Sequence, residues 1–248
     1  MTTLAIYSNK GGVGKTSSAV NLAYLAAQSG KSTLICDLDP QSSTTYYFRV
    51  KPKLKPKARG FLRAGRPVFR SVKGTDYDGL DLLPADFTHR KLDTTFNGLS
   101  RRKHRLDIVL KPFRREYDLI FLDCPPTINI LAENIFIAAD YLLVPLIPTT
   151  LSIRTHRHLL AFLKEKKYTN KYVYGFLSMV DGRKKMHRQM APAIQHEFKG
   201  MLRSSIPCLS LVEKMGIYRE PVPAYAPNSP AAEAYRTLWG EIRDRLQI

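Results

Sequence analysis

The feature that most constrains this chain is Gly11-Gly12-Val13-Gly14-Lys15-Thr16, a glycine turn ending in Lys-Thr between two apolar segments of different period. The segment before it, 4–7, is short and continuously apolar, which predicts a strand buried on both faces. After it, Ala19, Leu22, Ala23 and Ala26 recur at three and four residues, so a helix is predicted over 15–29, stopped by Gly30. A glycine turn leading from strand into helix points backbone N–H groups inward and adds the partial positive charge of the helix end. That is a cradle for phosphate. In it Lys15 neutralises the outer phosphates, the Thr16 hydroxyl ligates Mg²⁺, and Ser17 stands next in line, so ATP and magnesium are the expected cofactors.

Alternation continues down the chain. Strands are predicted over 33–37, 80–84, 119–123, 141–146 and 172–177, and helices over 92–110, 151–166, 188–202 and 231–246. Strands alternating with helices imply an α/β fold with a mostly parallel, doubly wound sheet covered on both faces. With 248 residues, no repeat and no convincing linker, 1–248 is expected to be one domain.

Two strands end in acid. Asp37-Leu38-Asp39-Pro40 closes the second, and Asp123 follows four apolar residues in another. Acids at the carboxyl ends of parallel strands face the crevice where α/β sheets bind ligands. Asp123 is placed to bind Mg²⁺ through water. Asp39 is placed to orient an attacking water or to hold water on the ion from behind its direct ligands, with Asp37 in a supporting role.

Charge is the unusual bulk property: 39 Lys and Arg against 21 Asp and Glu, formally +18. Such an excess repels itself and points to a polyanionic partner. A small-molecule kinase or ligase would leave it unexplained. Part of it lies in 49–74, a stretch with Lys or Arg at 49, 51, 53, 55, 57, 59, 63, 66, 70 and 73 and no acid. Its run 51–57 is expected to be extended, and the whole is expected to be a basic insertion or linker within the domain. Cys36, Cys124 and Cys208 are far apart without metal spacing, and the first two sit in apolar runs that predict burial. Unpaired cysteines, no long apolar stretch and no leader pattern give the expectation of a cytoplasmic protein.

Lys10 completes a more specific pattern. Lys10-Gly11-Gly12-Val13-Gly14-Lys15-Thr16 resembles the deviant Walker A loop of the ParA/MinD family, especially its small Soj-like partition ATPases. Asp39 before proline is similar to the family acid linked to hydrolysis in switch I, and Asp123-Cys124-Pro125-Pro126 resembles switch II. Further along, 178–183 resembles the segment beside the adenine, with Met179 and Pro207 as base contacts. Pro221 and 231–235 resemble the approach to the family's last helix, so the likeness covers nearly the whole chain.

The resemblance implies that Lys10, with Lys15 and Asp39 in the catalytic set, reaches across a homodimer interface to the partner's ATP. It implies weak intrinsic ATPase activity and non-specific binding of the dimer to nucleoid DNA. The matching basic residues are Arg183, Lys184, Lys185, Arg188, Lys199, Arg203, Lys214 and Arg219. It also implies release when a ParB-like or adaptor protein stimulates hydrolysis. The alternative is a MinD-like membrane-associated regulator, which needs an amphipathic C-terminal anchor; acids interrupt the polar face of 238–248. Iron–sulfur relatives of the fold need paired cluster cysteines, which Cys124 lacks.

Overall fold

A computed structural model describes residues 1–51, 57–63, 65–85, 87–96, 98–168 and 172–248. In chain order the elements are β1 (Thr2–Ile6), α1 (Lys15–Gln28), β2 (Thr33–Asp37), α2 (Ser43–Tyr47), α3 (Ala58–Arg63), α4 (Arg66–Phe69), β3 (Lys73–Gly74) and β4 (Leu80–Leu83). Then come α5 (Leu92–Phe96), α6 (Arg105–Leu110), β5 (Leu119–Asp123), α7 (Ile130–Ala138), β6 (Tyr141–Leu146), α8 (Thr150–Glu165) and β7 (Tyr172–Val180). The chain closes with α9 (Lys185–Glu197), β8 (Met201–Pro207), α10 (Ser210–Glu213), α11 (Met215–Tyr218), α12 (Val222–Tyr225) and α13 (Pro230–Leu246).

Eight strands form one sheet in the order β3-β4-β2-β5-β1-β6-β7-β8. All described pairings are parallel except β3 with β4. Period two sorts each strand between two cores: Ala5 and Tyr7 face one layer, Leu4 and Ile6 the other. The first layer takes α3, α6, α7, α8 and α9; the second takes α1 and α13. The doubly wound α/β architecture is as its alternating pattern implies. β1 lies between β5 and β6, where the winding changes direction, so the loop after β1 opens at the switch point.

Three expectations are corrected. The single helix over 92–110 is broken, because Arg101 adopts φ +50, a left-handed conformation that no helix interior accommodates. The helix over 188–202 instead starts at Lys185 and stops at Glu197; 201–207 is the edge strand β8. Gly200 makes that turn at φ +88, with the position of a would-be Cβ 2.5 Å from Val173 O, so only glycine fits. Of the two alternatives expected for 49–74, insertion or linker, a solvated linker does not fit its described part: Ala58, Phe61, Leu62 and Val68 are buried, the first three at helical spacing. The expected extended run over 51–57 lies mostly outside the described residues, which omit 52–56.

The cysteine expectation holds: Cys36 and Cys124 are buried, and Cys208 is exposed. In α13, Leu238, Trp239, Ile242 and Leu246 are buried in the second core, which leaves that helix no apolar face for a lipid surface. Among the described residues no helix is long and apolar enough to cross a membrane.

Candidate nucleotide-binding site

β1 hands the chain to α1 through the glycine turn, and backbone geometry explains the glycines. Gly12 and Gly14 sit at φ +68 and +86, and a Cβ on Gly14 would lie 2.8 Å from Ser178 Oγ. Gly14 is also the N-cap of α1 and offers no side-chain cap, and no acid occupies the first turn. The leading N–H groups of that helix are therefore open to an anion.

Lys15 is buried, at 7% exposure, and its Nζ donates to Lys10 O at 3.0 Å. Burial pulls its pKa down, and the nearby carboxylates of Asp123 and Asp39 oppose that shift. A triphosphate would complete the set of partners this ammonium lacks. Lys10 lies differently. It is half-buried, its Nζ is 3.5 Å from Ser152 Oγ near the start of α8, and it is outside the lining of the cavity its own loop forms.

The acids divide by burial. Asp37 is buried and accepts from Thr45 N at 2.8 Å, Thr45 Oγ1 at 2.7 Å and Asp39 N at 3.2 Å, so it anchors α2. Asp123 stands beside it in the parallel register of β2 and β5. Burial raises the pKa of both carboxyls; for Asp37 the charge of Asp123 adds to the rise, while for Asp123 the Thr44 and Thr16 hydroxyls oppose it. Asp39 is half-buried, faces the cavity and accepts from Gln41 N at 2.9 Å.

Magnesium fits these residues. Asp123 Oδ2 accepts from Thr44 Oγ1 at 2.7 Å, but the buried Oδ1 has no partner. A buried orphan carboxylate oxygen calls for a cation or an ordered water. Among the described residues no cluster of His, Cys, Asp or Glu could cage a metal by itself. Mg²⁺ commonly keeps several waters and shares phosphate oxygens with few protein ligands. Thr16 and, through water, Asp123 would hold it, and there it would neutralise phosphate charge.

A cavity of about 370 Å³ joins these groups to an apolar wall. Its lining includes 11–17 and Asp39 and the apolar side chains of Met179, Ile206, Pro207, Leu209 and Val212. Met179 and Pro207 thus stand in the lining. Met179 does so at φ +54, a left-handed conformation rare for a non-glycine residue. Tyr47, Cys208, Glu213 and Tyr235 also line it and went unnoticed in the sequence. Cys208 and Glu213 follow β8, a strand not expected from the sequence; Tyr47 belongs to no recognisable motif, and Tyr235 lies in 231–235, which gave no sign of a place in the cavity.

The expected basic group is not one surface. Arg183, Lys184, Lys185 and Arg188 are exposed together around the start of α9, at the carboxyl end of β7. Arg183 is there paired to Asp181 through Nε at 3.0 Å and Nη2 at 3.1 Å, and Arg188 Nη1 donates to Gly182 O and Arg183 O. Lys214 and Arg219 follow β8 on the same edge of the sheet. Arg219 is half-buried, lies over the Tyr46 ring at 4.4 Å and donates to Tyr46 O. Lys199 precedes β8, and Arg203 is in its first half, so both lie towards the opposite edge.

Comparison with known proteins places this geometry among related chains. The AAA domain family model (AAA_31) matches residues 1–173. The chain is 31% identical to the chromosome-partitioning ATPase Soj of Thermus thermophilus, covering 98% of this chain and 96% of Soj. It is 30% identical to the virulence plasmid ParA family protein pGP5-D of Chlamydia psittaci, covering 99% and 96%. Among solved structures, cobyrinic acid a,c-diamide synthase of Mycobacterium smegmatis with a bound ATP analogue and magnesium superposes with a TM-score of 0.82. That match has 22% identity and covers 100% of this chain and 96% of the synthase. At that identity the likeness is one of fold.

Proposed function

The chain belongs to the AAA_31 domain family, with ParA-type partition ATPases as its relatives, and from that premise we propose that it is an intracellular positioning ATPase. It binds ATP with magnesium in the cavity after β1 and hydrolyses it slowly to ADP and phosphate. ATP holds two copies face to face, the dimer binds duplex DNA without sequence preference, and a ParB-like or adaptor protein stimulates hydrolysis and so releases it to the cytoplasm. DNA binding is assigned to the exposed cluster Arg183, Lys184, Lys185 and Arg188 and to Lys214 on the same edge.

The observation that carries the reading is the unlike placement of two lysines on one loop. Lys15 is buried within it, whereas Lys10 is outside the cavity lining with its ammonium beside Ser152. A lysine that cannot serve its own triphosphate from there is available to the triphosphate of a facing copy. The two-state logic follows: ATP shifts the population toward the dimer only because the dimer offers it an extra charge.

The test compares wild type with Lys10→Ala in Mg-ATP, in ADP and without nucleotide, by light scattering for mass and by retention on duplex DNA. Wild type is expected to dimerise and bind DNA with ATP alone. Lys10→Ala is expected to bind ATP and remain monomeric. Dimerisation of Lys10→Ala at wild-type strength would remove the basis for the switch. In the wild-type dimer, log affinity is expected to fall with log salt by about 0.9 per phosphate contact.

A further inference from the structure

The described part of the basic stretch folds over the outside of the first core and leaves an aromatic ring uncovered. Phe69, in α4, is 44% exposed and lies flat on the buried ring of Phe113, with centroids 5.3 Å apart and planes at 11°. Next to the pair opens a recess of about 420 Å³ lined by Gly65, Phe69, Arg70, Val109, Pro112 and Phe113. Apart from Arg70 the lining brings no polar side-chain atom, so the recess suits an apolar group and offers one side-chain donor.

Within two residues of that lining stand Arg63, Lys111 and Arg115, exposed like Arg70 itself. None of these four cations has an ion-pair partner among the described residues. The nearby acid Asp107 is taken by Arg114 at 2.7 Å. Across 57–74 and 105–117 the remaining acid is Glu116. The surface is thus an apolar seat with Arg70 in its lining and three further cations, free of ion pairs among the described residues, within two residues of it. It shares no lining residue with the nucleotide cavity.

We propose that this recess docks an acidic segment of a partner protein, a large apolar side chain seating against Phe69 and Phe113 while flanking carboxylates meet Arg63, Arg70, Lys111 and Arg115. Exposed aromatics with neighbouring arginines are the residues from which binding hot spots are built, and complementary charge sets register and encounter rate. Nucleic acid fits less well. A base brings polar edges that need hydrogen-bond partners, and this lining supplies only Arg70; duplex phosphates have no use for an apolar seat.

The test is selection of a random peptide library displayed on phage against the full chain. Wild type is compared with Phe69→Ala and Arg70→Glu, each first shown to melt cooperatively and to bind ATP as wild type does. Wild type is expected to enrich sequences of net negative charge around an aromatic or Leu anchor. The synthesised consensus should lose about tenfold or more in affinity on either variant and weaken with salt. Should Phe69→Ala fail to fold, Arg70→Glu, a change at an exposed position, carries the test alone. The proposal is overturned if no acidic consensus emerges, or if the consensus binds the variants as tightly as wild type. It is equally overturned if a thymidine oligonucleotide displaces the peptide and loses affinity on the same variants. ATP binding is read separately, so failure here leaves the nucleotide site standing.

Discussion

Replacing Thr45 by Val tests how the acid pair is held. Thr45 is fully buried; its Oγ1 donates to Asp37 Oδ2 at 2.7 Å and accepts from Ala85 N at 3.1 Å. Valine keeps the shape and removes both bonds. Leaving the Ala85 N–H buried and unpaired costs about 1–3 kcal/mol, and losing a hydrogen bond to a carboxylate costs about 1.5–3 kcal/mol. A total near about 3 kcal/mol is expected, since the two losses share one side chain and relax together.

In urea, with m of about 3 kcal/mol/M for a chain of this size, the unfolding midpoint should drop by about 1 M. The pH dependence carries a sign. Burial, and then the charge of Asp123, raises the folded pKa of Asp37, so the folded state binds more protons than the unfolded one above the ordinary carboxylate range. Stability is therefore greatest below that range and falls as pH rises through the raised value. The Thr45 hydroxyl opposes the shift, so its removal should steepen the fall, and the gap between variant and wild type should widen with pH. A loss under about 0.5 kcal/mol, or a gap that narrows as pH rises, would refute the account.

Other perturbations follow from the same geometry. Gly14→Ala places a methyl 2.8 Å from Ser178 Oγ at φ +86. It should cost about 1–2 kcal/mol of stability and weaken ATP more than about tenfold, read by fluorescent-nucleotide titration; unchanged affinity would contradict the cradle. Cys208, exposed and lining the cavity, should be the only thiol a maleimide labels rapidly in the native chain, and Mg-ATP should slow it. Burial raises the pKa of Cys36 and Cys124, so they should label only after unfolding; fast labelling of either would contradict their burial. Arg219→Ala removes a stack on Tyr46 and a bond to Tyr46 O, while Tyr46 Oη donates to Gly216 O. Hydrogen exchange should therefore rise together in α2 and in 215–220, and a change confined to 215–220 would show that the two are not tied.

How legible each feature was depended on how local its cause is. The glycine loop, α1 and the buried strands were readable because a glycine turn and a run of apolar residues need no distant partner to be what they are. Likewise Asp123, at the end of β5, was placed by four apolar residues before it. β8 was missed because 201–207 holds no alternation strong enough to outweigh the helical spacing upstream. Its strand state comes from pairing with β7 and from Gly200 turning where a side chain would meet Val173 O. The basic stretch misled for a similar reason: its charges dominate the composition, while the few apolar residues that fix it, Phe61, Leu62 and Val68, show their purpose only against the core.

Local chemistry therefore settles the loop, its lysines and the acids that face it, since N–H direction, helix charge and strand termination act over a few residues. Assembly settles the rest. Asp37 and Asp123 lie 86 positions apart in the chain but are register partners in the sheet, one saturated with donors and the other left with a bare oxygen. The apolar wall of the cavity comes from β7, β8 and the segment after β8. Such juxtapositions arise from burial summed over the whole core, a quantity no window of neighbouring residues contains.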